Sequence, residues 1–272
     1  MRRLGLIAGN GVFPLEVAAA ARRDGISLIA IAHLDETDSA IAPLCEQITW
    51  VRVGELQKII DALKAAGVTQ AAMAGGISRA RLKHTFAPDA RALAMLQRLG
   101  RLSDDAVLRG LAAEIESEGI PVIDPVPMIA QALAGKGVEA GPQPGERQLQ
   151  DLALALEVAR ALGPYDVGQT VAVLNGVVAA VEAVEGTDAA LQRAAELCGP
   201  GLVIAKAAKP GQDLRFDRPA IGPGTVELLS RIGAALIGIE AGQALILERE
   251  RTVALANRLG VTIFGVTIYG CG

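Results

Sequence analysis

Short runs of consecutive apolar residues alternate along this chain with stretches whose apolar residues recur every three or four positions. Leu4 to Ala8 is the first run, and Gly9-Asn10-Gly11 closes it. Pro14 to Arg23 then reads as a helix, with Leu15 and Ala18 to Ala21 on its apolar face. Ile26 to Ala32 is the next strand. In Glu55 to Ala66, Leu56, Ile59, Ile60 and Leu63 fall at helical spacing, and Gly67 stops the helix. Gln70 to Ala74 reads as a third strand, ending at Gly75-Gly76. Helices over Ala90 to Leu99 and Asp104 to Glu118 precede a fourth strand, Ile120 to Ile123. Strands that are apolar throughout, alternating with helices, predict a parallel sheet covered on both faces. The expected fold class is α/β, with a Rossmann-like N-terminal domain over residues 1–134.

Gly135 to Gly145 is dense in glycine and proline, and residues 135–147 read as a linker. Beyond it, 148–272 reads as a C-terminal mixed α/β domain. Helices are expected over Leu149 to Leu162, Asp188 to Leu197, Gly224 to Ile232 and Arg249 to Leu259. Strands are expected over Thr170 to Leu174, Gly176 to Val184, Gly201 to Ala205 and Ala244 to Leu247. A two-domain chain of this kind is expected to place its site in the interdomain cleft.

Composition narrows the function classes. Across 272 residues, 26 Lys and Arg stand against 30 Asp and Glu, for a net charge of −4. That excludes a broad basic footprint for nucleic acid, and 3% aromatic residues leave few stacking platforms. The two histidines, His33 and His84, give no scope for a His-rich zinc site. Three cysteines (Cys45, Cys198 and Cys271), without a CxxC pair, point to a reducing compartment and no disulfide framework. No run reaches the roughly 18 apolar residues needed to cross a bilayer. The short run after Met1-Arg2-Arg3 does not make a signal peptide, so membrane contact is expected to be peripheral at most.

Four places carry candidate chemistry. Gly9, Asn10 and Gly11, between a strand and a helix, could bring N–H groups and a helix N-terminus to a phosphate. A third glycine of the dinucleotide fingerprint is replaced by Pro14, against an NAD site. Asp35 or Glu36 falls near the place of a ribose-binding acid. Gly75, Gly76, Ser78 and Arg79 follow a strand, where ligands of parallel sheets bind. Ser103-Asp104-Asp105 opens a helix, as an N-cap in preference to a metal or ligand site.

Residues 206 to 217 form the third place. Lys206, Lys209 and Arg215 concentrate positive charge beside Asp213 and Asp217, with Gln212 between them. In an extended chain Asp213, Arg215 and Asp217 would share one face, and Leu214 and Phe216 the other. Cations beside carboxylates are the mixture that phosphoryl chemistry uses. In the fourth place, Glu182-Ala-Val-Glu185-Gly186-Thr187-Asp188, acids close a strand. They either cap the next helix or hold a hard cation.

Taken together, these motifs resemble the UDP-2,3-diacylglucosamine pyrophosphatases of the LpxI type, along essentially the whole chain. The carriers are Leu4 to Pro14, Val53 to Lys58, Ala74 to Arg79 and Asp104 to Arg109. They continue with Val181 to Asp188 and with Lys206 to Asp217, followed by Pro219, Ile221-Gly222 and Thr225. The resemblance implies hydrolysis of UDP-2,3-diacylglucosamine to UMP and 2,3-diacylglucosamine 1-phosphate (lipid X) in lipid A biosynthesis. Water would attack the α-phosphorus, with Mg²⁺ or another divalent cation. It implies a dimer, a cytoplasmic location with transient contact at the inner-membrane surface, and no nucleic acid partner. It places the essential aspartate at Asp217. Asp213, Arg215, Lys206 and Lys209 would act beside it, and Asp217, Asp213, Asp188 and Glu185 would hold the metal. Gly9, Asn10, Gly11, Gly75, Gly76, Ser78, Arg79, Gln212, Gly186, Thr187 and Thr225 would bind substrate. Arg218, Ala220 and Ala80 depart from the family pattern and bear on local loop shape. Two rivals of other classes are a non-catalytic nucleotide-sugar or lipid-binding protein and an NAD(P)-dependent oxidoreductase.

Overall fold

The computed structural model describes residues 3–216 and 218–267, with side chains at all of these except Arg79, Ala80 and Lys83. The chain forms two compact units. The first takes the chain up to Ala130 together with the short segment that begins at Asp213; the second takes Gln131–Gln212 and the chain from Arg218 onward.

The first unit comprises β1 (Arg3–Ala8), α1 (Phe13–Arg23), β2 (Ser27–His33), β3 (Gln47–Val51), α2 (Leu56–Ala65), β4 (Gln70–Ala74), α3 (Arg79–Thr85), α4 (Ala90–Arg98) and α5 (Asp104–Ser117). Its four strands pair in parallel in the order β3-β2-β1-β4. The continuous apolar pattern has its cause here: β2 is buried at all seven positions, so neither face tolerates a charge. The two central strands run in register from Arg3 opposite Ser27 to Ala8 opposite Ala32. On α2, Leu56, Ile59, Ile60 and Leu63 are all buried, as their spacing predicts.

Two elements differ from expectation. Gln47–Val51 is a strand, unread because an edge strand mixes polar and apolar residues. Ile120 to Ile123 is not a full strand: it makes one bridge, Ala71 to Val122. Pro121, without an N–H, cannot extend the ladder.

The second unit comprises β5 (Gly137–Ala140), α6 (Glu146–Leu162), β6 (Thr170–Leu174), β7 (Val177–Val181), α7 (Thr187–Cys198), β8 (Val203–Lys206), β9 (Ala220–Ile221), α8 (Pro223–Arg231), β10 (Leu236–Glu240), β11 (Leu245–Ile246), α9 (Arg249–Leu259) and β12 (Thr262–Val266). Six strands form one mixed sheet in the order β5-β12-β10-β8-β6-β7, while β9 and β11 pair separately. The glycine- and proline-rich stretch read as a linker holds a strand instead. Val138 and Ala140 pair antiparallel with Phe264 and Ile263, because edge pairing needs backbone groups more than side chains. β10 and β12 were not legible: each is only five residues long and carries an internal glycine, Gly238 or Gly265. Each unit has its own apolar core. The first gathers Ile7, Ile29, Ile31, Ile60, Met73 and Ile115, and Phe216 joins it from far along the chain.

Candidate functional site

In the first unit the two glycine turns meet at the carboxyl ends of β1 and β4. Gly9 donates its N–H to Ala74 O at 2.8 Å, and Asn10 donates to Gly76 O at 2.7 Å. The glycines serve this mutual approach. A Cβ on Gly9 would lie 2.2 Å from Gly76 O, and one on Gly75, at φ +85°, would lie 2.4 Å from Asn10 O. The N–H groups of Gly9 and Asn10, offered to a phosphate by the sequence reading, are therefore already engaged. Gly11 stands open, with φ +84° and no heavy atom near its Cβ position.

Glu36, three residues beyond β2, closes the same corner. Its side chain is fully buried. Its Oε2 accepts from Asn10 Nδ2 at 2.6 Å and from the Ser78 N–H at 3.2 Å, with Arg81 at 3.7 Å. Its Oε1 is buried and finds no hydrogen-bond partner among the described residues. His33, at the end of β2, hydrogen-bonds Ala8 O through Nδ1 at 2.9 Å. Burial lowers the pKa of His33, against the opposing pull of the Ala8 carbonyl and Glu36. Its neighbour Thr37 donates to the same carbonyl at 2.6 Å. Beside these residues the first unit holds an apolar cavity of about 160 Å³. Its walls include Ile7, Met73, Ile77, Phe86, Met95 and Leu108, with His33 and Gly75.

The segment from Asp213 is not extended. Asp213 Oδ1 accepts the Arg215 N–H at 3.1 Å, and Phe216 donates its N–H to Asp213 O at 3.1 Å. An aspartate that bonds the backbone two residues on makes a tight turn, which overrides the alternating pattern. Asp213 and Arg215 still meet, because the turn lets the guanidinium fold back: Nη2 lies 2.8 Å from Oδ2. The Arg215 guanidinium holds the Asp213 carboxyl below its ordinary value. From α5, Asp105 accepts the Asp213 N–H at 3.2 Å, and Arg109 stands 3.9 Å from its carboxylate. These contacts pin the segment to the first unit. Asp217 lies outside the described residues, as does the side chain of Arg79.

In the second unit a further group assembles at the carboxyl end of β8. Lys206 donates from Nζ to Ala220 O at 2.9 Å. Thr170, opposite Lys206 in the ladder, contacts the Thr187 hydroxyl at 3.4 Å, and Thr187 donates to Glu182 at 2.9 Å. Helix α7 begins there, after Gly186. Helix α8 begins just beyond Ala220, and Thr225 accepts the Gly222 N–H at 3.4 Å. One ammonium and the N-termini of two helices thus lie along this end of the sheet, together with the carboxylate of Glu182. Lys209 is paired with Asp166, and Gln212 bonds the Lys209 N–H at 2.9 Å.

Three of the four acids read as metal ligands are described. Asp213 is held by Arg215, Glu185 is bonded to Arg193 at 2.9 Å, and Asp188 is exposed in the first turn of α7. Among the described residues, no three Asp, Glu, His or Cys side chains come together in a metal-binding group. Sequence reasoning missed Glu240, buried at the end of β10 one residue past the partner of Lys206. Burial raises its pKa, against an N–H donated by Ala208. Its signal was hidden because its strand was not recognised.

These features define a class: a two-unit α/β protein with a Rossmann-like parallel sheet in the first unit and a separate mixed six-stranded sheet in the second. Family models described as the LpxI N-terminal domain and the LpxI C-terminal domain match residues 3–132 and 135–264. The UDP-2,3-diacylglucosamine pyrophosphatase LpxI of Caulobacter vibrioides is 37% identical over 281 aligned positions, covering 98% of each chain. This chain belongs to the LpxI family. Solved structures give only slight likeness. The biotin carboxylase domain of Hydrogenobacter thermophilus 2-oxoglutarate carboxylase is 15% identical with a TM-score of 0.29, over 64% of this chain and 35% of that one. Phosphoribosylglycinamide synthetase from Anaerococcus prevotii is 14% identical with a TM-score of 0.27, over 68% of this chain and 39% of that one.

Proposed function

We propose that this protein hydrolyses the pyrophosphate bond of UDP-2,3-diacylglucosamine, releasing UMP and 2,3-diacylglucosamine 1-phosphate in lipid A biosynthesis. One observation carries the reading: 37% identity to a pyrophosphatase of that specificity, over 98% of both chains. Water attacks the α-phosphorus. Its oxygen goes to UMP, and the bridging oxygen leaves with the lipid phosphate. Lys206 and the N-termini of α7 and α8 stabilise negative charge on the phosphoryl oxygens. Asp217, assigned by the resemblance, orients the attacking water. Asp213 and Arg215 support it as a positioning pair.

A divalent cation such as Mg²⁺ belongs to the proposal, because it would neutralise charge on a dianionic diphosphate. Asp217 would be the residue to hold it, since Asp213 and Glu185 are paired with arginines and Asp188 is exposed. Chelation should abolish turnover and added Mg²⁺ should restore it; full activity in chelator removes the cation from the proposal.

No helix among the described residues is long and apolar enough to cross a membrane. We place the protein in the cytoplasm, touching the inner-membrane surface when it exchanges its diacylated ligands. Phe86 and Leu102, large apolar residues exposed on the first unit, support that contact. A homodimer, carried by the resemblance, should sediment at twice 28.0 kDa. The deciding experiment is UMP release in H₂¹⁸O by wild type and Asp217→Ala. Label in UMP, with turnover lost in the variant, is expected. Label in the lipid product would overturn the site of attack. Tight binding without turnover would favour a binding protein.

A further inference from the structure

The corner formed by Asn10, Glu36 and Ser78 offers hydrogen-bond acceptors where the glycine turns suggest phosphate donors. The N–H groups of Gly9 and Asn10 are spent on Ala74 O and Gly76 O. The Ser78 N–H is spent on Glu36. Pro14, in the first turn of α1, has no N–H to give. Glu36 adds a buried carboxylate, whose pairing with the exposed Arg81 at 3.7 Å is looser than its bond to Asn10.

The orientation of Asn10 follows from the same carboxylate. An amide 2.6 Å from a carboxylate oxygen must present its nitrogen, since two oxygens at that distance repel. The Asn10 oxygen is therefore turned away from Glu36, and no described side chain or backbone group donates to it. The orphaned Glu36 Oε1 marks the corner as built for something other than stability, because an unpartnered buried polar atom costs stability.

We infer that this corner receives a neutral hydrogen-bond donor of the substrate, a sugar hydroxyl, and not its diphosphate. Asn10 Oδ1 accepts the hydroxyl, and Glu36 is the positioning residue that fixes the amide. This inference rests on the nucleotide-sugar reading above. The hydroxyl belongs either to the ribose or to the glucosamine ring, and the two sources are separable by experiment.

The test compares wild type, Glu36→Gln and Asn10→Ala in the full chain. Ligands are UMP, uridine, pyrophosphate and 2,3-diacylglucosamine 1-phosphate, with thermal unfolding followed in parallel. Glu36→Gln keeps the shape but lets the Asn10 amide turn over, so it should fold with an unchanged or higher Tm. Both variants should weaken UMP and uridine by the same factor, roughly tenfold, and leave pyrophosphate unchanged. A loss on the lipid phosphate with none on uridine assigns the hydroxyl to glucosamine and upholds the acceptor role. A loss confined to UMP and pyrophosphate overturns the inference in favour of a phosphate cradle. Unchanged affinities with a lowered Tm overturn it in favour of a structural carboxylate. Wild type that binds none of these ligands overturns the functional reading, and this inference with it.

Discussion

Arg215 holds the carboxylate of Asp213, two residues before it, with Nη2 2.8 Å from Oδ2 and Nε 3.1 Å from Oδ1. The same guanidinium lies 4.6 Å from the Phe216 ring centroid and donates to the Val122 carbonyl at 2.9 Å. Phe216 itself is buried in the core of the first unit. The turn is thus anchored at both ends of a four-residue span.

Phe216→Ala should destabilise the first unit by about 3 kcal/mol, the usual cost of emptying a buried phenylalanine site. Trp50, the single tryptophan, lies in β3 and reports on this unit. A lower urea midpoint in its fluorescence is expected; an unchanged midpoint would mean that Phe216 does not seal the core.

Asp213→Asn should cost about 1 kcal/mol, since its partner Arg215 is partly exposed and solvent screens the pair. Its pKa is lowered by Arg215, so the ion pair's contribution is complete above the ordinary carboxylate value of 3.8 and is lost as pH falls through the folded-state value. Because the carboxylate is already occupied, the variant should keep the wild-type dependence on Mg²⁺ concentration. A large rise in the Mg²⁺ needed for half activity would make Asp213 a metal ligand after all.

Gly75→Ala should be far more damaging than Gly11→Ala, although both glycines have left-handed φ. The first would drive a Cβ into the Asn10 carbonyl and the second meets open space. Gly11→Ala should cost about 1 kcal/mol of backbone strain. Gly75→Ala should cost several times that, read as the difference between two Tm values. Equal losses would show that the clasp between the turns is loose.

His33 makes the first unit sensitive to mild acid. Its folded pKa is depressed, chiefly by burial, below the ordinary 6.5. As pH falls below 6.5 the unfolded chain takes up a proton that the folded chain refuses, so stability declines through that window. His33→Asn, whose amide can keep the bond to Ala8 O, should remove this part of the decline. Tm measured between neutral and mildly acid pH checks it; parallel curves for both proteins would exonerate His33.

The alternation of apolar strands and helices made the first unit legible, because a sheet buried on both faces leaves no room for polar residues. The second unit was less so. Its β10 and β12 are short and glycine-interrupted, and β5 hides in a stretch that looks like a linker. At the site, the residue types at Gly9, Gly75 and Lys206 were visible, but their engagements were not. Spacing cannot show that Gly9 and Gly75 serve each other, or that Arg215 is folded back onto Asp213. Asp35 or Glu36 could be read near the place of a ribose-binding acid, but the burial of Glu36 is a product of separate segments converging on it.

The return of Phe216 to the first unit has a consequence for how the chain is made. When Ala130 has left the ribosome, all four strands of the first sheet exist, yet its core still lacks one side chain. That side chain arrives only after α6, α7 and the strands up to β8 have been synthesised. The first unit therefore waits in an unsealed state while most of the second is translated. A fragment ending at the boundary between the two family domains should share that state: apolar core residues exposed to water, and a tendency to aggregate that the intact chain lacks.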